Sequence, residues 1–154
     1  IMGDTGRGSR NSRADSLLEL ARVHGKLDDP AMRHQLASVL AMRELNKLTN
    51  ARAKAAAAQG TSSSLMSLGK LAMSKILHAE AAVKSQLIGA QALLAGPENP
   101  VADDVNFLTL NAFFTSIGGG TDQIQRNIIG ERVLGLPREP EVDRDIPFRQ
   151  ARRS

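Results

Sequence analysis

The sequence of 154 residues contains no Cys, no Trp and no Tyr, and four Phe are its only aromatic residues apart from histidine. Without cysteine, the chain can form neither disulfide bonds nor thiolate metal sites. Few aromatics combined with many alanines favour helix packing over a β-sandwich. No apolar run is as long as a membrane span and no signal peptide opens the chain, so we expect a cytoplasmic protein without membrane contact.

Charge is present but unevenly placed. Of the net charge of +4, residues 1–13 contribute +2 through three Arg against Asp4, and residues 14–138 contribute +2 with 13 basic and 11 acidic side chains. Such a balance fits a basic leader on a near-neutral domain, or an anionic cofactor. Because no basic stripe is interleaved with aromatics, we expect no nucleic-acid partner. Three scattered histidines, His24, His34 and His78, lack the spacing of a zinc motif, so we expect no metal site and interpret His78 as an ordinary helical side chain.

Helical periodicity dominates the middle of the chain. Asp29 as N-cap and Pro30 at the first helical position predict a helix to about Gln59, which Gly60 ends. A second long helix is predicted over 62–95, with Thr61 to Ser64 as candidate caps and Gly96-Pro97 as its end. Its apolar stripe follows steps of three and four residues: Leu65, Leu68, Ala72, Ile76, Ala79, Val83, Leu87, Ala90 and Leu94. Two long helices joined by a short turn predict an all-α fold, an antiparallel bundle of four to five helices.

Shorter elements complete the prediction. We interpret residues 1–13 as a flexible linker or disordered end, 14–138 as the helical domain, and 139–154 as an extended charged tail. A short amphipathic helix covers 14–24, and Asp103 or Asp104 is a candidate cap for a helix that carries Val105, Leu108, Leu110, Phe113 and Phe114. The chain begins with Ile1 rather than Met, so either Met2 is the start and Ile1 an artefact, or the chain is a fragment of a longer protein.

Residues 115–138 form the most specific segment, T-S-I-G-G-G-T-D-Q-I-Q-R-N-I-I-G-E-R-V-L-G-L-P-R. Three glycines, Gly118 to Gly120, precede a helix that Thr121 is placed to cap. Glycines before a helix N-terminus let the backbone approach a ligand closely with its N–H groups. By itself this pattern is common to many turns.

As a string, the segment closely resembles the C-terminal signature of the acyl-CoA dehydrogenases, G-T-x-x-I-Q-R-x-I-I-x-E-R-x-L-G-L-P-R. The run Asp28 to Ala37 (D-D-P-x-x-R-x-x-L-A) is similar to bacterial members. The resemblance implies that this chain is the C-terminal four-helix bundle of such an enzyme. Enzymes of the family bind FAD and desaturate an acyl-CoA between Cα and Cβ. In the family a carboxylate removes the α-proton while the β-hydride passes to the flavin.

The resemblance also implies roles for particular residues. Thr121, Asp122 and Gln123 correspond to FAD contacts, and Gly120 corresponds to a contact with the substrate thioester. Near the start of the first long helix, the family reaches the flavin of a neighbouring subunit, and the corresponding candidates are Arg22, His34 and Gln35.

The catalytic base is missing from this segment. Family members with their base here carry Glu directly before the Gly-Thr pair, where this chain has Gly119. Asp122 is a poor replacement, because the helix dipole stabilises its anionic form. We therefore expect no catalytic residue in the chain. Three explanations stay open: a base upstream in the parent protein, a base from a partner subunit, or a non-catalytic paralogue.

From these patterns we expect the C-terminal domain of an FAD-dependent acyl-CoA dehydrogenase of lipid β-oxidation, inactive on its own, which assembles through its bundle into homo- or hetero-oligomers such as tetramers. One alternative is a non-catalytic subunit or helical oligomerisation module of a heteromeric dehydrogenase. Another is a DNA-associated paralogue, which salt-dependent DNA binding would reveal.

Overall fold

The computed structural model describes residues 10–60, 65–138, 140 and 146–150, and every regular element in these ranges is helical. The helices are α1 (Arg10–Val23), α2 (Pro30–Ala58), α3 (Leu65–Ile88), α4 (Pro100–Ile117) and α5 (Asp122–Arg132), with short 3-10 turns at Gly89–Leu93 and Phe148–Gln150. The predicted all-α class is thereby confirmed. Within the described ranges, no helix combines the length and apolar character needed to cross a membrane.

Two helix starts follow the predicted cap chemistry. The Asp29 carboxylate accepts hydrogen bonds from the backbone N–H groups of Ala31 at 2.9 Å and Met32 at 3.2 Å, and Pro30 opens α2. At α5, the Thr121 hydroxyl accepts from the N–H of Ile124 at 3.2 Å. Each cap satisfies backbone donors that have no partner inside the helix, which fixes where the helix begins.

The predicted caps of α4 are wrong. The helix begins earlier, at Pro100, with Asn99 at the N-cap position. Asp103 instead lies in the first turn and accepts the backbone N–H of Gly96 at 3.0 Å, which ties the preceding loop to the helix. Proline at the first helical position explains the earlier start, since its fixed φ suits a helix that is beginning.

The predicted end of α3 is also wrong. The α-helix stops at Ile88 rather than at Ala95, because Gly89 adopts a left-handed backbone with φ 58°. A 3-10 turn over Gly89–Leu93 follows, and Leu94 of the predicted stripe is 46% exposed. The apolar spacing of the sequence continues past Gly89 to Leu94, whereas the α-helical backbone ends at Ile88.

Three of the predicted boundaries lie wholly or partly outside the described residues. α1 begins at Arg10, ahead of the predicted start at Ala14, and residues 1–9 are not among those described. The candidate caps at 61–64 and most of the tail, 139, 141–145 and 151–154, are likewise outside.

Helix α3 is the central element, and α1, α2, α4 and α5 all pack against it. The main core cluster joins α1, α2 and the C-terminal half of α3 and consists of Leu17, Ala21, Met32, Leu36, Val39, Val83 and Leu87. A smaller cluster of Ile88, Ala102 and Val105 joins the end of α3 to α4. Burial of such side chains contributes about 1.5–3 kcal/mol each for the larger ones.

A buried ion cluster lies between α2 and α3. The Glu80 side chain is 6% exposed and pairs with the Arg43 guanidinium and, at 3.1 Å, with Lys84 Nζ. Burial raises the pKa of the Glu80 carboxyl, but the hydrogen bonds and charges of Arg43 and Lys84 lower it more, so that the pKa lies below its ordinary value. The carboxylate is therefore held in its charged form inside the bundle.

The outer face of α4 is apolar and uncovered. Phe107, Leu110, Phe114 and Ile117, here called the α4 stripe, are each at least 68% exposed. Their spacing of three and four residues places them on one side of the helix, whereas Ala102, Val105 and Ala112 are buried against α3. Of the predicted apolar positions of α4, Val105 is thus in the core while Leu110 and Phe114 face outward.

Candidate functional site

The junction between α4 and α5 is a tight turn built from Gly118, Gly119 and Gly120, here called the glycine turn. Gly119 has φ 69° and Gly120 has φ 92°, backbone conformations that L side chains rarely adopt. Among the residues that the structure describes, none has an atom within 4 Å of a Cβ placed on Gly119, so this side of the turn is open to them. On Gly120, a Cβ would lie 3.0 Å from Gln125 Nε2, so that side is closed by the protein itself.

The N-terminus of α5 follows the glycine turn directly. The first intrahelical bond runs from Gln125 N–H to the Thr121 carbonyl at 2.9 Å, and the Thr121 hydroxyl takes the N–H of Ile124. The N–H groups of Asp122 and Gln123 come before both bonds. Such groups, at the positive end of the helix dipole, suit an anionic or acceptor atom of a ligand.

Beneath the turn, α3, α4 and α5 contribute a polar cluster of Lys70, Ser74, His78, Ser116 and Asp122. Ser74 Oγ donates to Asp122 Oδ2 at 2.7 Å and lies 2.8 Å from Ser116 Oγ. His78 Nε2 lies 2.7 Å from Ser116 Oγ, and Lys70 Nζ donates to Asp122 Oδ1 at 3.3 Å. The His78 ring also meets Phe113 edge to face, with centroids 4.9 Å apart.

Both carboxylate oxygens of Asp122 thus accept hydrogen bonds from side chains of α3. Burial raises the pKa of Asp122, but the hydrogen bonds from Ser74 and Lys70 and the charges of Lys70 and Arg126 outweigh it and hold the pKa below its ordinary value. A carboxylate with a lowered pKa and two donors on it is a weak proton acceptor. What Asp122 offers a ligand is its backbone N–H.

Gln125 supports the turn from the inside. Its side chain is buried, with 7% of the residue exposed, and its amide donates to the Gly119 carbonyl at 3.1 Å. This hydrogen bond orients the Gly119 carbonyl toward the buried Gln125 side chain. The outward surface of the turn is left to backbone N–H and Cα atoms.

The remaining predicted site residues lie at another level of the bundle. Arg22 lies in the last turn of α1, where it pairs with Glu19, while His34 and Gln35 lie in the first turns of α2. The buried residues next to them on α1 and α2 pack against the C-terminal half of α3, at Val83 and Leu87. Asp122 contacts the N-terminal half of α3, at Ser74 and Lys70. At about 1.5 Å rise per residue, these two levels of α3 are about 13–26 Å apart.

The structure therefore brings Gly120, Thr121, Asp122 and Gln123 together, and it does not bring Arg22, His34 or Gln35 to them. The polar cluster and Gln125 were not predicted from the sequence. One signal was available: Lys70, Ser74 and His78 recur every four residues beside the apolar stripe of α3. Within the ranges that the structure covers, no three His, Asp or Glu side chains converge as metal ligands do.

Comparison with known proteins identifies the class of this bundle. The sequence profile of the acyl-CoA dehydrogenase C-terminal domain matches residues 13–134. A curated relative, acyl-CoA dehydrogenase IpdE1 of Mycolicibacterium smegmatis (strain ATCC 700084 / mc(2)155), is 35% identical over 131 residues, which cover 80% of this chain and 30% of the relative. The chain belongs to the acyl-CoA dehydrogenase family and corresponds to its C-terminal domain.

A solved structure has the same fold. The protein described as "Tcur3481-Tcur3483 steroid ACAD" matches with a TM-score of 0.72 and 20% sequence identity over 84% of this chain. The match covers 34% of that chain, so the sequence spans about a third of the length of the relatives it matches.

Proposed function

We propose that this chain is the C-terminal bundle of an FAD-dependent acyl-CoA dehydrogenase and that its glycine turn forms one edge of the flavin site. The observation that carries the proposal is the α4–α5 junction. Gly119 has a positive φ and open space at its Cβ position, and the N–H groups of Asp122 and Gln123, at the start of α5, have no hydrogen-bond acceptor among the described residues. When bound, FAD would supply the hydride acceptor for oxidation of the acyl-CoA between Cα and Cβ.

The residues of the junction fit such a group. Without side chains, the turn lets a planar ring approach the backbone, and the N–H groups of Asp122 and Gln123 can donate to its acceptor atoms. Thr121 holds the first turn of α5 in place through its cap. Gly120 would lie toward the thioester of the substrate.

The proton acceptor of the reaction lies elsewhere in this proposal. Gly119 has no side chain, and the Asp122 carboxylate is held by Ser74 and Lys70. The base therefore comes from another part of the parent protein or from a partner subunit. We expect the 154-residue chain alone to show no dehydrogenase activity.

Arg22, His34 and Gln35 form a second contact region in the proposal. They lie about 13–26 Å along α3 from the glycine turn. In the family, the segment at the start of the first long helix reaches the flavin of a neighbouring subunit, and we propose the same role for these residues. The proposal therefore includes an assembly of at least two subunits.

The experiment is a titration of the chain with FAD, followed by amide NMR and by visible absorbance, with reduction of a dye in the presence of acyl-CoA as the activity assay. We expect weak binding, with shifts at 119–123 and at 33–35, and no dye reduction. Turnover by the isolated chain, or tight binding that leaves 119–123 unshifted, would contradict the proposal.

A matched pair of variants separates ligand contact from backbone strain. Gly119 and Gly135 both have positive φ, 69° and 67°, and both have open space where a Cβ would stand. Gly119→Ala places a methyl group on the ligand-facing turn and should reduce the FAD-induced shifts, whereas Gly135→Ala carries similar strain outside the site and should leave them unchanged.

A second candidate function, a helical oligomerisation module, is favoured by the α4 stripe. Phe107, Leu110, Phe114 and Ile117 expose a contiguous apolar face, the kind of surface that helix–helix interfaces bury. We propose that this face meets another bundle of the same family, in a homo- or hetero-oligomer. Both functions are compatible in a dehydrogenase whose base lies on a partner subunit.

A further inference from the structure

The polar cluster beneath the glycine turn contains a continuous chain of four side chains. It runs from Asp122 Oδ2 to Ser74 Oγ at 2.7 Å, to Ser116 Oγ at 2.8 Å, and to His78 Nε2 at 2.7 Å. Each contact is as short as an O–H···O or N–H···O hydrogen bond normally is. The chain, here called the relay, connects α5, α3 and α4.

Counting hydrogens fixes the direction of the relay. A carboxylate has no hydrogen, so the Ser74 hydroxyl donates to Asp122. The contact between Ser74 and Ser116 then requires the single hydroxyl hydrogen of Ser116. Because that hydrogen is used, the contact between Ser116 and His78 requires a hydrogen on Nε2 of the histidine.

One competing acceptor exists. The Ser116 hydroxyl also lies 3.1 Å from the Ala112 carbonyl, one turn back on α4. That contact is longer than the 2.8 Å contact with Ser74 and is made within the helix. If Ser116 donated there instead, the close approach of the two serine oxygens would have no hydrogen between them, which is unfavourable for partly buried hydroxyls.

The relay spans the glycine turn. Ser116 lies two residues before Gly118, and Asp122 lies two residues after Gly120, so both sides of the turn are held by the same face of α3. Lys70, one helical turn before Ser74, holds the other oxygen of Asp122. With Gln125 bonded to the Gly119 carbonyl, the conformation of the turn is fixed from three directions.

We propose that His78 is a positioning residue: its Nε2–H donates through Ser116 and Ser74 to the Asp122 carboxylate and so fixes the glycine turn and the first N–H groups of α5. Only the link to flavin rests on the proposed function. His78 does not touch the ligand in this proposal, and it acts through the turn.

The first test needs no variant. In the 154-residue chain labelled with ¹⁵N-histidine, long-range ¹H–¹⁵N correlation at about pH 8.5, above the usual titration range of histidine, shows which ring nitrogen carries the hydrogen. We expect the Nε2–H tautomer for His78. The Nδ1–H tautomer, or an even mixture of the two, would overturn the proposal.

The second test uses amide hydrogen exchange at Gly118, Ile124 and Gln125, whose N–H groups are hydrogen-bonded on the two sides of the glycine turn. His78→Phe and Ser74→Ala each remove a link, and loss of one hydrogen bond should speed exchange there roughly five- to tenfold. His78→Gln keeps an N–H donor near the position of Nε2 and should restore the rate to within about twofold. Ser38→Ala is the control, because the Ser38 hydroxyl donates to the His34 carbonyl of its own helix and has no other hydrogen-bond partner among the described residues.

A combined variant distinguishes a relay from independent packing. His78 and Ser74 are linked through Ser116. If they act as one relay, either single substitution interrupts it, and the second substitution has little further effect. The double variant should therefore exchange no more than about twofold faster than the faster single variant. Multiplied effects, or equal rates for His78→Gln and His78→Phe, would overturn the proposal. None of these measurements uses FAD, so they succeed or fail independently of the flavin titration.

Discussion

At the level of single residues, Asp122 shows how one buried-facing side chain can fix the start of a helix. Its carboxylate points back to Ser74 and Lys70 on α3, while its backbone N–H lies at the start of α5. The anchoring also keeps the group charged, since its pKa lies below the ordinary value. The side chain thus anchors the helix start to α3, while the backbone N–H belongs to the first turn, where helical donors have no intrahelical partner.

We expect Asp122→Asn to lower the free energy of unfolding by about 1–2 kcal/mol at pH 7, because it removes a charged acceptor that is hydrogen-bonded to two donors. The folded-state pKa of Asp122 is lowered, so its stabilisation is complete above the unfolded-state pKa and is lost as the pH falls through the folded-state pKa. The difference between the two proteins should therefore shrink below about pH 4.

Urea unfolding at pH 7 and pH 3 measures this difference. Asp28→Asn is the matched control, because Asp28 lies on the surface just ahead of α2 and its loss should change the stability by less than about 0.5 kcal/mol. A difference between wild type and Asp122→Asn that stays constant across this range would show that the carboxylate charge does not contribute.

At the level of helices, the interface of α2 and α3 contains a buried carboxylate, Glu80, which pairs with the partly buried cations Arg43 and Lys84. Breaking such a group by removing one partner leaves a buried charge without compensation. We expect Glu80→Gln to cost about 3–5 kcal/mol, measured by urea unfolding at pH 7.

The exposed pair of Glu44 and Lys47, 3.0 Å apart on α2, provides the control for that measurement. Both of its side chains are more than half exposed, so Glu44→Gln should cost no more than about 0.5 kcal/mol. Equal effects of the two substitutions would mean that burial does not determine the contribution of the Glu80 pair.

The starts of α2 and α5 were predictable because their capping is local in sequence. Asp29 and Thr121 bond to N–H groups two or three residues away, so the residue type and its position are sufficient. The end of α3 was not predictable from periodicity, because one glycine with φ 58° interrupted an apolar pattern that itself continued. Residue patterns report which side of a helix is apolar more reliably than they report where the helix stops.

The site divides in the same way. Gly120, Thr121 and Gln123 were predicted because they are neighbours in a motif. The relay was not, since Ser74 meets Ser116 and Asp122 across 42 and 48 residues of sequence. Only the packing of α4 and α5 on α3 brings these side chains together.

At the level of the whole molecule, the α4 stripe predicts self-association or association with a related bundle. Phe114 is 70% exposed on the stripe, and a charge at this position would have to be desolvated in any interface that forms there. We expect the weight-average mass of the 154-residue wild-type chain in light scattering to rise with concentration. Phe114→Glu should reduce this rise.

Met66 on α3 is the matched control, because it is 69% exposed but lies outside the stripe. Met66→Glu should leave the mass unchanged. A wild-type chain that stays monomeric at all concentrations would exclude self-association through the stripe, and mass loss with both variants would indicate non-specific contact between apolar surfaces.

Because the glycine turn is fixed to α3 near Ser74 and the start of α2 packs near Val83 and Leu87, a single rigid helix sets both the distance and the rotation between the two regions. Each residue added or removed between Ser74 and Val83 would turn one region by about 100° relative to the other and shift it by about 1.5 Å. The length of this stretch of α3 is therefore constrained by the spacing of the two regions.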